Sequence, residues 1–363
     1  MNTHNKKLNV YIDTPYWYIR PKNTDWKYTL SLKGMVDYSP ITISYSREIS
    51  LVVEENLQWF KRKFFKSGAP SFQRVLETSA FPLRKPDIIY SHGRFPITET
   101  TIPVVWFNGV VDPAMRISSG ISASAIEEQY NQMRSTFERA AIVLCPTQAF
   151  ANRHSERFPN LSKKFQYAPF FLNHIKTITD TECSDKHAQD EEIRFLFVGR
   201  EARRKGLDIV IEAFEKLKTT TTKKIELLVV TNDPIMKKKY GGIAGITWYE
   251  NLPNTKTMDL MRKAHVFVMP SRYESYGLVY IEAMASGCAV IATPWESQVE
   301  IFDQGASGAL SLPDIKSLTI AMNTMCDSIL RNKIALNGLN KCRREYTPEA
   351  VSMLHHRLFS SAL

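Results

Sequence analysis

At 363 residues the chain is too long for one ordinary hydrophobic core and too short for three, which predicts two domains. Hydrophobic residues make up 44% and charged residues 23%, a globular balance that excludes a disordered or fibrous chain. The net charge is +10, of which residues 1–180 carry +8, so an anionic partner is expected and the first half should attract it most.

In chain order, the start around Met1–Lys7 leads into a short apolar strand, so no secretory leader is expected, and no apolar run reaches membrane-spanning length. A cytoplasmic chain is expected, at most peripheral on a membrane. Short runs rich in β-branched residues then alternate with amphipathic stretches, the βαβ pattern of a parallel sheet. Strands are expected at Leu8–Ile12, Asp87–Tyr90, Val104–Phe107 and Ala141–Leu144. Between the first two, Trp59, Phe60, Phe64 and Phe65 interleave with Lys61, Arg62, Lys63 and Lys66. That stretch fits two readings equally: an interfacial segment on an anionic membrane, or an amphipathic helix whose rings enter the core. His92, Asn108 and Asp112 follow expected strands, where α/β sheets bind ligands, and are candidates for contacting an acceptor substrate.

Residues 173–192 are polar and follow neither period, so they read as a linker. Beyond it, strands are expected at Arg194–Val198, Glu226–Val230, His265–Met269 and Ala289–Ala292, and a helix at Leu207–Leu217 with Leu207, Val210, Ile211 and Phe214 on one face. The domains are then 1–172 with 345–363, and 193–344, each doubly wound, facing across a cleft. The five cysteines show neither Cys-x-x-Cys nor zinc-ligand spacing, which predicts a reducing compartment and no metal.

Most of the chemistry lies in residues 266–293. A strand stops at Pro270-Ser271 and a helix begins near Gly277, with Glu274 before it and Glu282 eight positions on. At the helical rise the two carboxylates are about 12 Å apart at most. The amides of Tyr276, Gly277 and Leu278 sit at the helix N-terminus, where an anion is stabilised. Amides for phosphates and carboxylates for sugar hydroxyls would suit a nucleotide sugar; alternatively, Glu274 is a cap and Glu282 a solvated side chain. A second stretch, 199–206, places Arg200 and Lys205 around a strand-to-helix turn, within reach of a diphosphate, or else as an exposed basic loop.

Together these stretches resemble the family 4 glycosyltransferases of the GT-B fold, retaining enzymes that use nucleotide sugars. The glutamate pair Glu274 and Glu282, with Gly277-Leu278-Val279 and Glu282 to Gly287 around it, matches the family pattern, as do Gly199-Arg200 and Lys205-Gly206. The resemblance implies a GT-B fold of two Rossmann-like domains. It assigns Arg200 and Lys205 to the donor diphosphate, Glu282 to the ribose, Glu274 to the transferred sugar, and Ser275 to Leu278 to the sugar and phosphate. It makes 246–252 a base-contacting loop, and 345–363 a return to the first lobe and a hinge element. No cofactor is implied beyond the nucleotide-sugar co-substrate, because positioned cations replace a metal. No Asp-x-Asp occurs, and its nearest variant, Asp180-Thr181-Glu182, falls in the expected linker.

The chain also departs from the family. Pro294-Trp295-Glu296-Ser297 stands where a glycine pair is common, the turn after Ile12 lacks glycine, and Asn108 stands where many members have histidine. The expected activity is metal-independent retaining transfer to a glycan or lipid-linked acceptor, in synthesis of cell-envelope polysaccharide, lipopolysaccharide or glycolipid. The rivals are a sugar-nucleotide epimerase, an inactive partner subunit, and a nucleic-acid-binding module. The last has no helix-turn-helix, zinc or RNA-binding signature behind it, so no nucleic-acid partner is expected.

Overall fold

The computed structural model describes residues 7–13, 32–45, 85–92, 100–107, 122–188 and 191–363. The chain divides into two compact units, Met1–His174 with Pro348–Leu363, and Ile175–Thr347.

Among the described residues each unit is built on a six-stranded sheet whose pairings are all parallel. The first contains β1 (Leu8–Asp13), β2 (Ile41–Tyr45), β3 (Ile88–His92), β4 (Val104–Phe107), β5 (Ile142–Cys145) and β6 (Phe165–Tyr167), in the order β2-β1-β3-β4-β5-β6. Sheets of this kind are covered on both faces, so their central strands are apolar throughout. In β4, Val105 and Phe107 enter a core with Leu8, Ile12, Ile88 and Tyr90, while Trp106 on the other face joins Tyr130, Phe137, Phe158 and Phe165. The last helix, Pro348–Ser361, closes the former core. Its Phe359 ring lies 5.2 Å from that of Tyr90, and Ser352 Oγ donates to Met35 O at 2.9 Å.

The second sheet contains β7 (Glu192–Val198), β8 (Lys224–Val230), β9 (Ile246–Tyr249), β10 (Val266–Met269), β11 (Ala289–Ala292) and β12 (Ala309–Leu310), in the order β12-β11-β10-β7-β8-β9. This is the Rossmann winding: β7, β8 and β9 run outward on one side, then the chain returns beside β7 and runs outward the other way. The two-domain Rossmann-like α/β architecture expected from the sequence is present. The eight expected strands lie within two residues of the observed ones.

The segment 173–192 differs from its expectation. It contains the helix Asp180–Ala188, which belongs to the second unit. A reciprocal capping box starts it: the Glu182 N–H donates to Thr179 Oγ1 at 3.1 Å, and Glu182 Oε2 accepts the Thr179 N–H at 2.7 Å. The same carboxylate is held below its usual range by these Thr179 bonds, so the near-match to Asp-x-Asp has a capping role. The helix then buries Cys183, Lys186 and His187. Lys186 Nζ donates to Ser286 O at 2.8 Å, and His187 Nδ1 accepts from Arg331 Nε at 3.1 Å. A ring nitrogen that accepts from an arginine is unprotonated, so Nε2 carries the proton toward Gly287 O, 2.9 Å away.

Three buried histidines make stability pH-dependent. Burial, reinforced by Lys186, pushes His187 down to about 3; burial and Arg194 push His265 down to about 4; burial pushes His355 down to about 4. An unfolded histidine titrates near 6.5, so the unfolded chain binds more protons below that pH. Stability from these groups is present above about 6.5 and is lost as pH falls toward 4, by about 2 kcal/mol per histidine at pH 5. Thermal unfolding should therefore occur several degrees lower at pH 5 than at pH 7.5; equal midpoints would contradict the buried neutral state. None of the five cysteines forms a disulfide. No helix among the described residues is long and apolar enough to cross a membrane.

Candidate active site

In the second unit β7 and β10 lie side by side where the winding reverses, the place beyond whose strand carboxyl ends open α/β sheets bind ligands. The loops leaving these strands, 199–206 and 270–277, are the two stretches singled out in the sequence.

The first loop folds as a tight turn into the helix Leu207–Thr220, with the Lys205 N–H donating to Glu201 O at 2.9 Å and the Leu207 N–H to Ala202 O at 2.9 Å. Gly206 closes it at φ 83°, and a Cβ there would lie 2.3 Å from Pro270 O, so only glycine lets the first loop approach the end of β10. The loops are bonded in both directions. The Arg272 N–H donates to Arg204 O at 2.9 Å, and Arg204 Nη1 donates to Tyr273 O at 2.7 Å. Arg272 forks onto Asp208 at 2.7 and 2.8 Å and also donates to Arg203 O at 2.5 Å.

This lacing brings Lys205 Nζ into direct contact with Glu274 Oε2, across 69 positions of sequence. The Glu274 side chain is 7% exposed and that of Lys205 14%, with Arg204 Nη1 4.0 Å from the same oxygen. The other oxygen, Oε1, accepts the Ser275 N–H at 3.2 Å. Three residues on, Gly277 takes φ 83° and starts the helix Leu278–Ala285, which Tyr280 ties back to β10 through its hydroxyl and Met269 O at 2.7 Å. Lys205, Glu274, Ser275, Tyr276 and Gly277 thus lie in two adjoining loops, with Leu278 as the first residue of the helix that follows. The site combines a buried ammonium–carboxylate pair with the amides of a helix N-terminus, a set that can hold an anion beside a polyhydroxylated group.

The other candidates are placed differently. Glu282 is half-buried on the helix, and Arg200 is exposed at the mouth of the first loop. Arg204, which sequence reasoning passed over as part of a basic run, is the arginine beside Glu274. The expected base-contacting loop is largely strand β9, followed by Asn251 at φ 53° with its N–H donating to Asn232 Oδ1 at 2.7 Å. His92 is the last residue of β3 in the first unit. Its side chain, Asn108, Asp112 and the segment Trp59–Lys66 lie outside the described residues. Among the described residues no group of three or more His, Cys, Asp and Glu is placed to hold a metal ion.

The turn that departs from the family pattern packs against the second loop. Trp295 Nε1 donates to Ser271 O at 2.8 Å, Ser297 Oγ to Ser275 O at 2.6 Å, and Gln298 Nε2 to Tyr276 O at 2.6 Å. A short helix, Glu296–Ile301, carries the last two of these side chains.

Residues 180–340 match the family model described as glycosyl transferases group 1. The match covers less than half of the chain and lies in the second unit. The matched stretch takes in most of that unit and includes both loops. A Klebsiella pneumoniae protein described as an uncharacterized 41.2 kDa protein in the cps region is 30% identical over 132 residues, 36% of this chain and 35% of its own. The phosphatidyl-myo-inositol mannosyltransferase of Mycolicibacterium smegmatis is 30% identical over 120 residues, 32% of this chain and 31% of its own. The matches span about a third of these relatives. Anabaena HepE, solved with UDP and glucose, aligns over 98% of this chain and 100% of its own, with TM-score 0.61 and 13% identity. WaaG, a glycosyltransferase involved in lipopolysaccharide biosynthesis, aligns over 97% and 99%, with TM-score 0.61 and 14% identity. These two structures share the GT-B arrangement of two Rossmann-like domains, a likeness of fold.

Proposed function

We propose that the chain is a retaining, metal-independent glycosyltransferase that takes a sugar from a nucleoside-diphosphate sugar and attaches it to a hydroxyl of a glycan or lipid-linked acceptor, in assembly of a cell-envelope polysaccharide or glycolipid. The observation that carries this reading is the Lys205–Glu274 pair, largely buried beside the helix N-terminus at Gly277, beyond the strands where the sheet reverses. The names of relatives that act on phosphatidyl-myo-inositol and in lipopolysaccharide synthesis favour the acceptor class.

In the reaction the bond between the anomeric carbon and the diphosphate oxygen breaks, and a bond from the acceptor oxygen forms on the same face of the sugar. The acceptor proton passes to the departing diphosphate. Charge therefore develops on the leaving group, where Lys205, Arg200 and the helix amides would stabilise it. Glu274 would orient the sugar by accepting from its hydroxyls.

A panel of UDP-, GDP-, ADP- and CDP-sugars supplied with simple glycosides and lipid-linked acceptors tests this, with the product followed by proton NMR. The expected product keeps the donor's anomeric configuration, and its rate is unchanged by EDTA. An inverted product would overturn the retaining assignment, loss of activity in EDTA the metal independence, and absence of turnover across the panel the transferase reading itself.

A further inference from the structure

We propose that Ser297 and Gln298 are positioning residues that aim the amides of Tyr276 and Gly277 at the donor. The inference rests on the reading of 274–278 as the donor-binding loop.

A trans peptide is planar, and its carbonyl and the following N–H point in opposite directions. Fixing the carbonyl of one residue therefore fixes the direction of the next residue's amide. The first member of the set shows this at work: Trp295 Nε1 holds Ser271 O at 2.8 Å, and the N–H on the far side of that peptide, Arg272, is received by Arg204 O at 2.9 Å. The next two members repeat the arrangement. Ser297 Oγ holds Ser275 O at 2.6 Å, which turns the Tyr276 N–H away from Ser297. Gln298 Nε2 holds Tyr276 O at 2.6 Å, which turns the Gly277 N–H away likewise. Both donors are buried, Ser297 at 4% and Gln298 at 0% exposure, so water does not compete for these carbonyls.

Gly277 makes such support necessary. At φ 83° and without a Cβ, it has no side chain to hold its peptide in place. The Gly277 N–H could rotate away from an anion at little cost unless the Tyr276 carbonyl were held from behind. Binding to an amide that is already oriented avoids the cost of ordering it on contact.

The test uses the full chain, with whichever of UDP, GDP or ADP binds it most tightly by calorimetry as the probe. Ser297→Ala and Gln298→Ala should each weaken that binding about fivefold, and the double variant more than tenfold. Ser297→Thr, which keeps the hydroxyl, should restore affinity to within about twofold, a recovery that depends on the donor and not on packing alone. Lys205→Ala is the control for the donor site and should lose most binding. Parental affinity in both Ser297→Ala and Gln298→Ala, with binding lost in Lys205→Ala, would overturn the positioning role and leave the donor site in place. Parental affinity in Lys205→Ala would overturn both. The two single variants report independently, so a folding failure in one leaves the other decisive.

Discussion

Replacing Lys205 by alanine should lower transfer by about 10²–10³-fold, the usual effect of removing one fixed donor from a developing oxyanion. Lys205 lies in the loop two positions before the helix Leu207–Thr220, its side chain held by contact with Glu274. Its loss removes a positive charge from the site and leaves a nearly buried carboxylate with Arg204, at 4.0 Å, as the remaining basic neighbour among the described residues. An uncompensated buried charge costs about 3–5 kcal/mol. Arg204 should reduce that to a thermal shift of a few degrees. Activity and stability should therefore separate. The variant unfolds cooperatively near the parental midpoint, while steady-state transfer and nucleoside-diphosphate binding collapse. Lys205→Arg keeps charge but not shape and should recover only part of the loss. Parental turnover in Lys205→Ala would remove this residue from the reaction.

Gly206→Ala should have the largest effect on folding. An ordinary residue at φ 83° costs about 1–2 kcal/mol from backbone conformation alone. The added methyl would also lie 2.3 Å from Pro270 O, an atom of the main chain that no rotamer change can clear. Together these predict a loss above about 3 kcal/mol and a midpoint lowered by roughly 10 °C for a unit of this size. The strain falls on the contact that joins the first loop to the end of β10, so nucleoside-diphosphate binding should weaken in whatever folded fraction remains. A midpoint within 2 °C of the parent would show that the close approach is not needed.

The interior of both sheets was legible in the sequence, and their margins were not. The four strands missing from the sequence reading, β2, β6, β9 and β12, are the four edges of the two described sheets. An edge strand is covered on fewer sides, so it lacks the continuous apolar run that marks β10 or β11; all four residues of β9 are partly exposed. The two loops stood out in the sequence because charged residues and glycines mark their strand-to-helix turns, and the structure brings Lys205 against Glu274, three positions before Gly277. The helix Asp180–Ala188 could have been found from the Thr179–Glu182 capping box, but its polar composition masked it, because it buries a lysine and a histidine instead of an apolar stripe. Trp295, Ser297 and Gln298 were beyond reach for a different reason. They bond to main-chain carbonyls 22 to 24 positions away, and a carbonyl leaves no trace in the identity of the residue that carries it.

The bonds between the two loops, from Arg204 to Tyr273 O and from Arg272 to Arg203 O and Asp208, make the site one body. Neither loop can swing open alone without breaking charge-assisted bonds to the other. In the proposed reaction a donor would meet a shape settled during folding, and discrimination among donors would be decided by fit to a stiff mould. A change as remote as Asp208, which touches no ligand in this scheme, would loosen that mould and broaden the range of nucleotide sugars accepted.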